Sequence, residues 1–382
     1  MNDNKTIALI LSGGGARAAY QVGVLSAIGK MLPKDTSLPF PILCGTSAGA
    51  LNAAMLATNA DNFTKAVTKL TYVWRHLTPE QVYKTGPLSI LSSIGKVILS
   101  LMNHGYSKNS QLSLLNNDPL YDLLKHYLDL EKIENSIEKK YLVALSITAM
   151  SYSTGLTTSF FQGVSEIENW DRSRQRGVRC KLTHSHLLAS SAIPIIFPAR
   201  QLGDDFFGDG AMRQQSPISS ALHLGADKIM IIGVSDKHAV TPWYKEKTDN
   251  HSPSIAQITG QLLNSAFIDN FENDIEQLKR INGLFGDNLA TTKNKTINKI
   301  ETLIISPSTA LDEITSQHFS QLPWSIKKLL GATGATPKAG GSTAASYLLF
   351  TPEYCRSLIE LGKKDANWEK DKILAFLLDK KT

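Results

Sequence analysis

Cysteine is scarce in this chain: three in 382 residues, Cys44, Cys180 and Cys355. They show neither metal-like spacing nor a disulfide framework, which fits a reducing compartment. Long apolar runs are missing too. No stretch reaches the roughly 18 apolar residues that a membrane-spanning helix needs. The opening "MNDNKTIALILSGGG" lacks a basic n-region, and its apolar run is only about six residues, so a first strand is expected there and not a signal peptide. A cytoplasmic protein, free or peripheral at a membrane, is the expectation. The net charge is only +6, from 40 Lys+Arg against 34 Asp+Glu. No basic stripe is interleaved with aromatics, so nucleic acid is not an expected partner. An anionic membrane surface is compatible with the charge, although solubility alone accounts for it. No internal repeat is visible, and nothing suggests disorder. What remains, 42% hydrophobic and 19% charged residues, is a globular composition with a sizeable core.

The apolar residues that are present fall into short runs ending in glycine. "TIALIL" runs into three glycines, and Ala19, Val22, Leu25, Ile28 and Leu32 then recur at helical spacing. "PILCG" reads as a second strand and "AGALNAAMLA" as a second helix. "YLVALSITAM" and "TTSFF" read as strands around the turn "YSTG", and "KIMIIGVS" and "ETLIIS" as later strands. Strand, glycine turn and helix in repetition predict an α/β domain with a parallel sheet. Thr78-Pro79-Glu80-Gln81 is a capping box with proline at the first helical position. In "LSILSSIGKVILSLM", Ile90, Leu91, Ile94, Val97, Ile98 and Leu101 fall on one helical face. Ser89, Ser92, Ser93, Lys96 and Ser100 fall on the other. That pattern suits a helix packed on the core, or a lid or membrane-touching helix. "GATGATPKAGG", 331–341, reads as a mobile loop, and the tail from Thr351 to Asp379 as two terminal helices.

Within "CGTSAGALNAA", Ser47 stands between Gly45 and Gly49. A serine hydroxyl is a poor nucleophile unless it is exposed, aimed and next to a base. A sharp strand-to-helix turn does the aiming and leaves no room for side chains two residues either side. Gly45-Thr46-Ser47-Ala48-Gly49 is this G-x-S-x-G elbow. The helix beginning at Ala48 brings its positive end toward Ser47. The bland alternative is a glycine turn carrying a surface serine.

Acyl transfer also needs donors for an oxyanion, and a glycine loop ahead of a helix supplies backbone N–H groups. "SGGGAR", Ser12 to Arg17, is such a loop. Gly13-x-Gly15-x-x-Ala18 equally satisfies a dinucleotide fingerprint. That reading wants an acidic residue ending the second strand. The strand ends "LCGTS", and Asp35, about 20 residues on, lies before it. No Walker-type Gly-Lys-Ser/Thr follows. The loop reads better as an oxyanion hole.

None of the nine histidines is set off as a base. His184 and His186 form an H-x-H without a third ligand nearby, and His223 sits on a predicted helix face. In "DDFFGDGAMRQQSP", Asp209 follows two aromatics that would desolvate it and raise its pKa toward a useful value. Asp-Gly is also a common turn pair. From local sequence alone, a hairpin turn is the stronger reading.

Taken together these residues resemble the patatin-like phospholipases. Gly13-Gly14-Gly15-Ala16-Arg17, then Gly45-Thr46-Ser47-Ala48-Gly49, then Asp209-Gly210-Ala211 match that family's three motifs in order. "ASSAIPIIFPA" resembles its segment between elbow and aspartate. The resemblance covers about Lys5 to Ser235, and "SYLLFTPEYCRSLIELGKKDA" is similar to the C-terminal region of some bacterial members. It implies Ser47 as nucleophile, Asp209 as the sole base, and an oxyanion hole in Gly13, Gly14, Gly15, Ala16 and Arg17. The charge of Arg17 would fix the loop or meet an anionic head group. It also implies a three-layer α/β/α fold with a mainly parallel sheet, plus C-terminal helices, with no metal, nucleotide or other cofactor. The expected division is a catalytic domain over 5–308, with a lid or interfacial insertion at 84–116, and a mostly helical region packed on it over 309–382. The expected substrate is a phospholipid or lysophospholipid acyl ester, met at a transient membrane surface. Oligomeric state stays open. So do an acyltransferase using the same acyl-enzyme and an inactive lipid-binding protein; a nucleotide-binding oxidoreductase is the outlying alternative.

Overall fold

The structure is a computed structural model. It describes residues 5–102, 113–172, 174–214, 216–235, 254–267, 274, 276–280, 282, 291–292, 295–296, 299–332 and 341–378. Most of the 331–341 loop, and 103–112 within the expected insertion, lie outside the described residues.

Short aliphatic runs make the centre of the sheet. β1 (Ile7–Leu11), β2 (Ile42–Thr46) and β9 (Lys228–Ile232) are buried at every position. That is the pattern of parallel strands covered on both faces. β1 pairs in parallel with β2 on one side and β9 on the other, and β10 (Glu301–Ile305) continues the order beyond β9. On the opposite flank β2 pairs in parallel with β3 (Ala144–Ser151). β3 folds back on β4 (Thr157–Gly163) around the turn after Ser151. β5 (Trp170–Arg172) and β6 (Gln175–Arg179) extend that edge. β7 (Arg200–Leu202) pairs with β8 (Asp205–Asp209), which joins β3 antiparallel and completes a ten-stranded sheet.

The two-residue period of a strand sorts the core into two clusters. Ile7, Leu9 and Leu11 enter one and Ala8 and Ile10 the other. The first cluster packs under α1 (Ala19–Met31), α2 (Ala48–Ala57) and α3 (Phe63–His76). The second packs under α9 (Pro217–His223). Helices on both faces of a mostly parallel sheet make the α/β fold expected from the sequence. α3 follows its pattern closely: Phe63, Ala66, Val67, Leu70 and Trp74 are buried, and Asn62 caps it by accepting from the Lys65 N–H at 2.8 Å.

α1 forms where the helical spacing stands, and it is covered on a second side as well. α14 (Pro352–Trp368) crosses it backbone to backbone. A Cβ on Gly23 would stand 2.1 Å from the Ile359 carbonyl oxygen, and one on Gly362 2.2 Å from that of Tyr20. α15 (Lys370–Leu378) ends the described tail, as expected.

The capping box at Thr78 starts α4 (Pro79–Val82), and the serine-rich segment forms α5 (Pro87–Met102). Its face differs from the expected one. Ile90 is buried at 6% exposure and Ser100 at 4%, whereas Leu91 stands 66% exposed. A second apolar stripe, Leu88, Leu91 and Leu99, gives this helix two candidate faces, and spacing alone does not choose between them.

Candidate active site

β2 ends at Thr46, α2 begins at Ala48, and Ser47 carries the turn between them with φ 55° and ψ −130°. Such a conformation costs a residue with a side chain on the order of 1–3 kcal/mol and persists only where the surroundings enforce it. Here they do. The Ser47 N–H donates to Ser190 Oγ at 2.9 Å, and Ser190 Oγ–H donates to the Thr148 carbonyl at 2.6 Å. The Ser47 carbonyl accepts from the Ala50 N–H at 2.9 Å. Both elbow glycines are sites of backbone contact. A Cβ on Gly45 would lie 2.5 Å from Ala50 Cα, and one on Gly49 2.2 Å from the Leu11 carbonyl oxygen. Thr46 Oγ1 donates to Gln214 Oε1 at 2.8 Å.

Sheet register brings Asp209 to the serine. β2 pairs with β3 as far as Thr46 opposite Thr148; the next β3 residue, Ala149, pairs with Asp209 of β8. β2 thus leaves the edge of β3 at the serine, and β8 takes the same edge over at the aspartate. Gly210 lets β8 pass, since a Cβ there would meet the Thr148 carbonyl oxygen at 2.3 Å. The hairpin-turn reading of Asp209-Gly210 does not hold, because Asp209 ends a paired strand and a single turn of 3-10 helix, Gly210–Arg213, follows.

Asp209 is fully buried. Burial raises its carboxyl pKa to about 7, with the Ser47 hydroxyl and the Ala211 amide pulling it partway back. Oδ1 accepts from the Ala211 N–H at 3.0 Å. Oδ2 has no regular hydrogen-bond partner, and the Ser47 hydroxyl is the side chain that favours its ionised form.

The glycine loop lies beside the elbow. Gly14 (φ 153°) and Gly15 (φ 56°) take conformations that side chains disfavour, and a Cβ on Gly15 would strike the Tyr347 carbonyl oxygen at 2.2 Å. A buried side-chain relay fixes this loop to the helices. Trp74 Nε1 donates to Asn52 Oδ1 at 2.8 Å, Asn52 Nδ2 to Gln21 Oε1 at 2.9 Å, and Gln21 Nε2 to the Ser12 carbonyl at 2.9 Å. Arg17 reaches into the C-terminal helices. Nε donates to Ser346 Oγ at 2.6 Å and Nη1 to Asn264 Oδ1 at 3.2 Å. Nη2 pairs with Asp312 at 2.9 Å, and the guanidinium stacks 4.5 Å from the centre of the Tyr347 ring. In this arrangement Arg17 fixes the loop, with its charge matched by Asp312.

Ser47 and Gly15 line a cavity beside the elbow. Its walls are apolar: Leu51 and Met55 of α2, Leu70 and Trp74 of α3, Leu120 and Leu124 of α6 (Asp118–Tyr127). Along α2 it runs from Ala48 to Met55, about 10 Å at 1.5 Å per residue. These wall residues carried no sequence signal beyond helical periodicity, which marks a buried face without saying that a ligand shares it. Ser190 lies in a quoted motif but acquired a role only through its distance to Ser47. Among the described residues no three His, Cys, Asp or Glu side chains gather closely enough to hold a metal ion. His186 is taken up in the cap of α8 (His184–Ser190), and His223 stacks on Trp170.

A serine on a strained strand-to-helix turn of a mostly parallel α/β sheet is the framework of the serine hydrolases. The patatin-like phospholipase family model matches residues 9–222, more than half of the chain, and the chain belongs to that family. A segment of 57 residues is 42% identical to lysophospholipase nte1 of Aspergillus terreus. The segment is 15% of this chain and 3% of that protein, so the chain matches only a small part of this curated relative. Two solved structures are similar at 14% identity. VipD from Legionella pneumophila has a TM-score of 0.32, over 96% of this chain and 67% of that one. Human GIVD cytosolic phospholipase A2 has a TM-score of 0.43, over 98% of this chain and 59% of that one.

Proposed function

We propose that the protein is a serine lipid acyl hydrolase of phospholipase A or lysophospholipase type, working through a Ser47–Asp209 dyad. The observation that carries this reading is the meeting of the elbow serine with a buried carboxylate at the edge of β3, beside an apolar cavity. Ser47 Oγ attacks the ester carbonyl while Asp209 takes its proton. N–H groups of Gly14, Gly15 and Ala16, with the N-terminus of α2, stabilise the oxyanion. The alcohol leaves with the proton held by Asp209, and the acyl group remains on Ser47. Water then attacks, Asp209 takes a proton from it, and the fatty acid departs as Ser47 recovers its hydrogen. The acyl chain lies along α2 in the cavity, whose apolar walls reward hydrocarbon and offer little to a polar substrate. No described helix is long and apolar enough to cross a membrane, and we take the enzyme to meet its substrate at a membrane surface from one side.

The test is hydrolysis of a fluorogenic phospholipid and a short-chain ester by the intact protein beside Ser47→Ala. A loss of at least about 10³-fold in the variant, with unchanged thermal unfolding, is expected. Persistent activity in Ser47→Ala, or no hydrolysis of either ester by the unaltered protein, rejects the proposal.

A further inference from the structure

Several large apolar side chains stand in solvent: Leu88 at 83% exposure, Ile195 at 72% and Trp324 at 64%, with Leu91 and Leu99 on the outer stripe of α5. They come from three segments that hydrogen bonds tie together. The Lys84 N–H donates to the Asn116 carbonyl at 2.9 Å, and the Leu114 and Leu115 N–H groups donate to the Ile195 and Ile196 carbonyls at 2.8 and 2.9 Å. Ser325 Oγ, at the start of α12 (Trp324–Ala332), donates to the Thr85 carbonyl at 2.6 Å, just before α5. Ile193 and Phe197 line the acyl cavity, and Ile195 lies between them on the outside. The face is therefore continuous in chain with the cavity wall.

Ile195 is the most telling of these. It has φ 71°, a conformation that a β-branched residue adopts only under strain. Its backbone is held on both sides, so the exposure is built in, and in water the side chain recovers nothing for either cost. Entry into hydrocarbon would recover the apolar part. Tryptophan beside lysine suits the boundary between head groups and acyl chains. Lys328 lies 5.8 Å from the centre of the Trp324 ring, and Lys96 is exposed on α5. Among charges close by, Lys84 is paired with Asp118 at 3.5 Å, and Glu80 accepts from Thr85 Oγ1 at 3.3 Å.

We propose that the face formed by Leu88, Leu91, Leu99, Ile195 and Trp324 docks on an anionic phospholipid bilayer, with Ile195 entering the lipid beside the mouth of the acyl cavity. This rests on the lipid acyl hydrolase reading and names where that enzyme meets its membrane. A lipid leaving the bilayer there would enter the cavity without its chain crossing water. Apolar area sets the binding, and the lysines favour negatively charged head groups.

The experiment is co-sedimentation of the full chain with vesicles of phosphatidylcholine alone and of phosphatidylcholine with phosphatidylglycerol. Ile195→Asn, Leu88→Ser/Leu91→Ser and Trp324→Ala are compared with the unaltered protein. Asparagine tolerates the left-handed conformation, so Ile195→Asn is expected to fold at least as well. Each variant should lose about fivefold or more in partitioning onto the anionic vesicles. Lys96→Glu/Lys328→Glu should erase the preference for them. Hydrolysis of a soluble short-chain ester should stay within about twofold, since none of these side chains lines the cavity. Unchanged partitioning of the variants overturns the proposal. So does a failure of the unaltered protein to bind either vesicle, or lipid-free dimerisation that the substitutions abolish, which would make the face a contact between copies. Vesicle binding lost in the variants while the unaltered protein cleaves no ester would uphold the docking face and reject the hydrolase.

Discussion

Asp209→Asn changes the charge of the site and almost nothing of its shape, and it should move activity and stability in opposite directions. The carboxyl pKa rises from 3.8 to about 7, chiefly through burial. In the unfolded chain the group ionises near its ordinary value. Between about pH 4 and pH 7 the folded protein therefore holds a proton that the unfolded chain has lost. Stability contributed by that proton is complete below about pH 4 and is lost as pH rises through 7. About three pH units at 1.36 kcal/mol each amount to about 4 kcal/mol. Asparagine carries no charge to bury, and its carbonyl can keep the bond from the Ala211 N–H. Unfolding entropy of about 2.1 cal/mol/K per residue converts 4 kcal/mol into about 5 °C for a chain of this length. Calorimetry from pH 4 to 8 should find Asp209→Asn about 5 °C more stable than the unaltered protein at pH 8 and level with it at pH 4. The same variant should lose about 10²–10⁴ in kcat/KM. In the unaltered protein, kcat/KM should climb tenfold per pH unit up to about 7 and then level off. An activity profile flat from pH 5 to 8, or a variant no more stable at pH 8, would refute the assignment of a buried base to Asp209.

Gly49→Ala puts a Cβ 2.2 Å from the Leu11 carbonyl oxygen; it should cost more than about 3 kcal/mol and deplete soluble protein. Gly95→Ala, where an added Cβ would meet nothing within 4 Å apart from its own helix backbone, should be neutral or stabilising by up to about 1 kcal/mol in the same unfolding assay. Arg17→Lys keeps a charge but cannot reproduce the fork that joins Ser346, Asn264 and Asp312. A drop of about 3 °C in Tm is expected, together with lower kcat as the glycine loop loosens. Met55→Ala removes three heavy atoms from the cavity wall along α2, room for about two methylenes. A panel of ester substrates should show the preferred acyl chain lengthening by about two carbons, with roughly fourfold gained per added methylene; an unchanged profile would place the end of the chain elsewhere.

Short-range patterns wrote much of this protein into its sequence. The elbow around Ser47, the glycine loop before α1, the buried strands and the Thr78 cap each depend on residues within a few positions of one another. Local backbone sterics, capping and periodicity decide such features, and each formed where its pattern stands. The family was legible for the same reason, since its motifs are local and ordered. Asp209 is the counter-example. Its own neighbourhood favoured a hairpin turn, and only the register of β8 on β3 set it beside Ser47, because sheet pairing joins residues far apart in sequence. Arg17 is another: its partners at 264, 312 and 346 lie on helices that no spacing near Arg17 specifies. α5 offered two apolar stripes, and packing selected the one through Ile90. The cavity came last of all. It is the space left between α2, α3 and α6 once each has buried its own face, and no single segment of the chain encodes it.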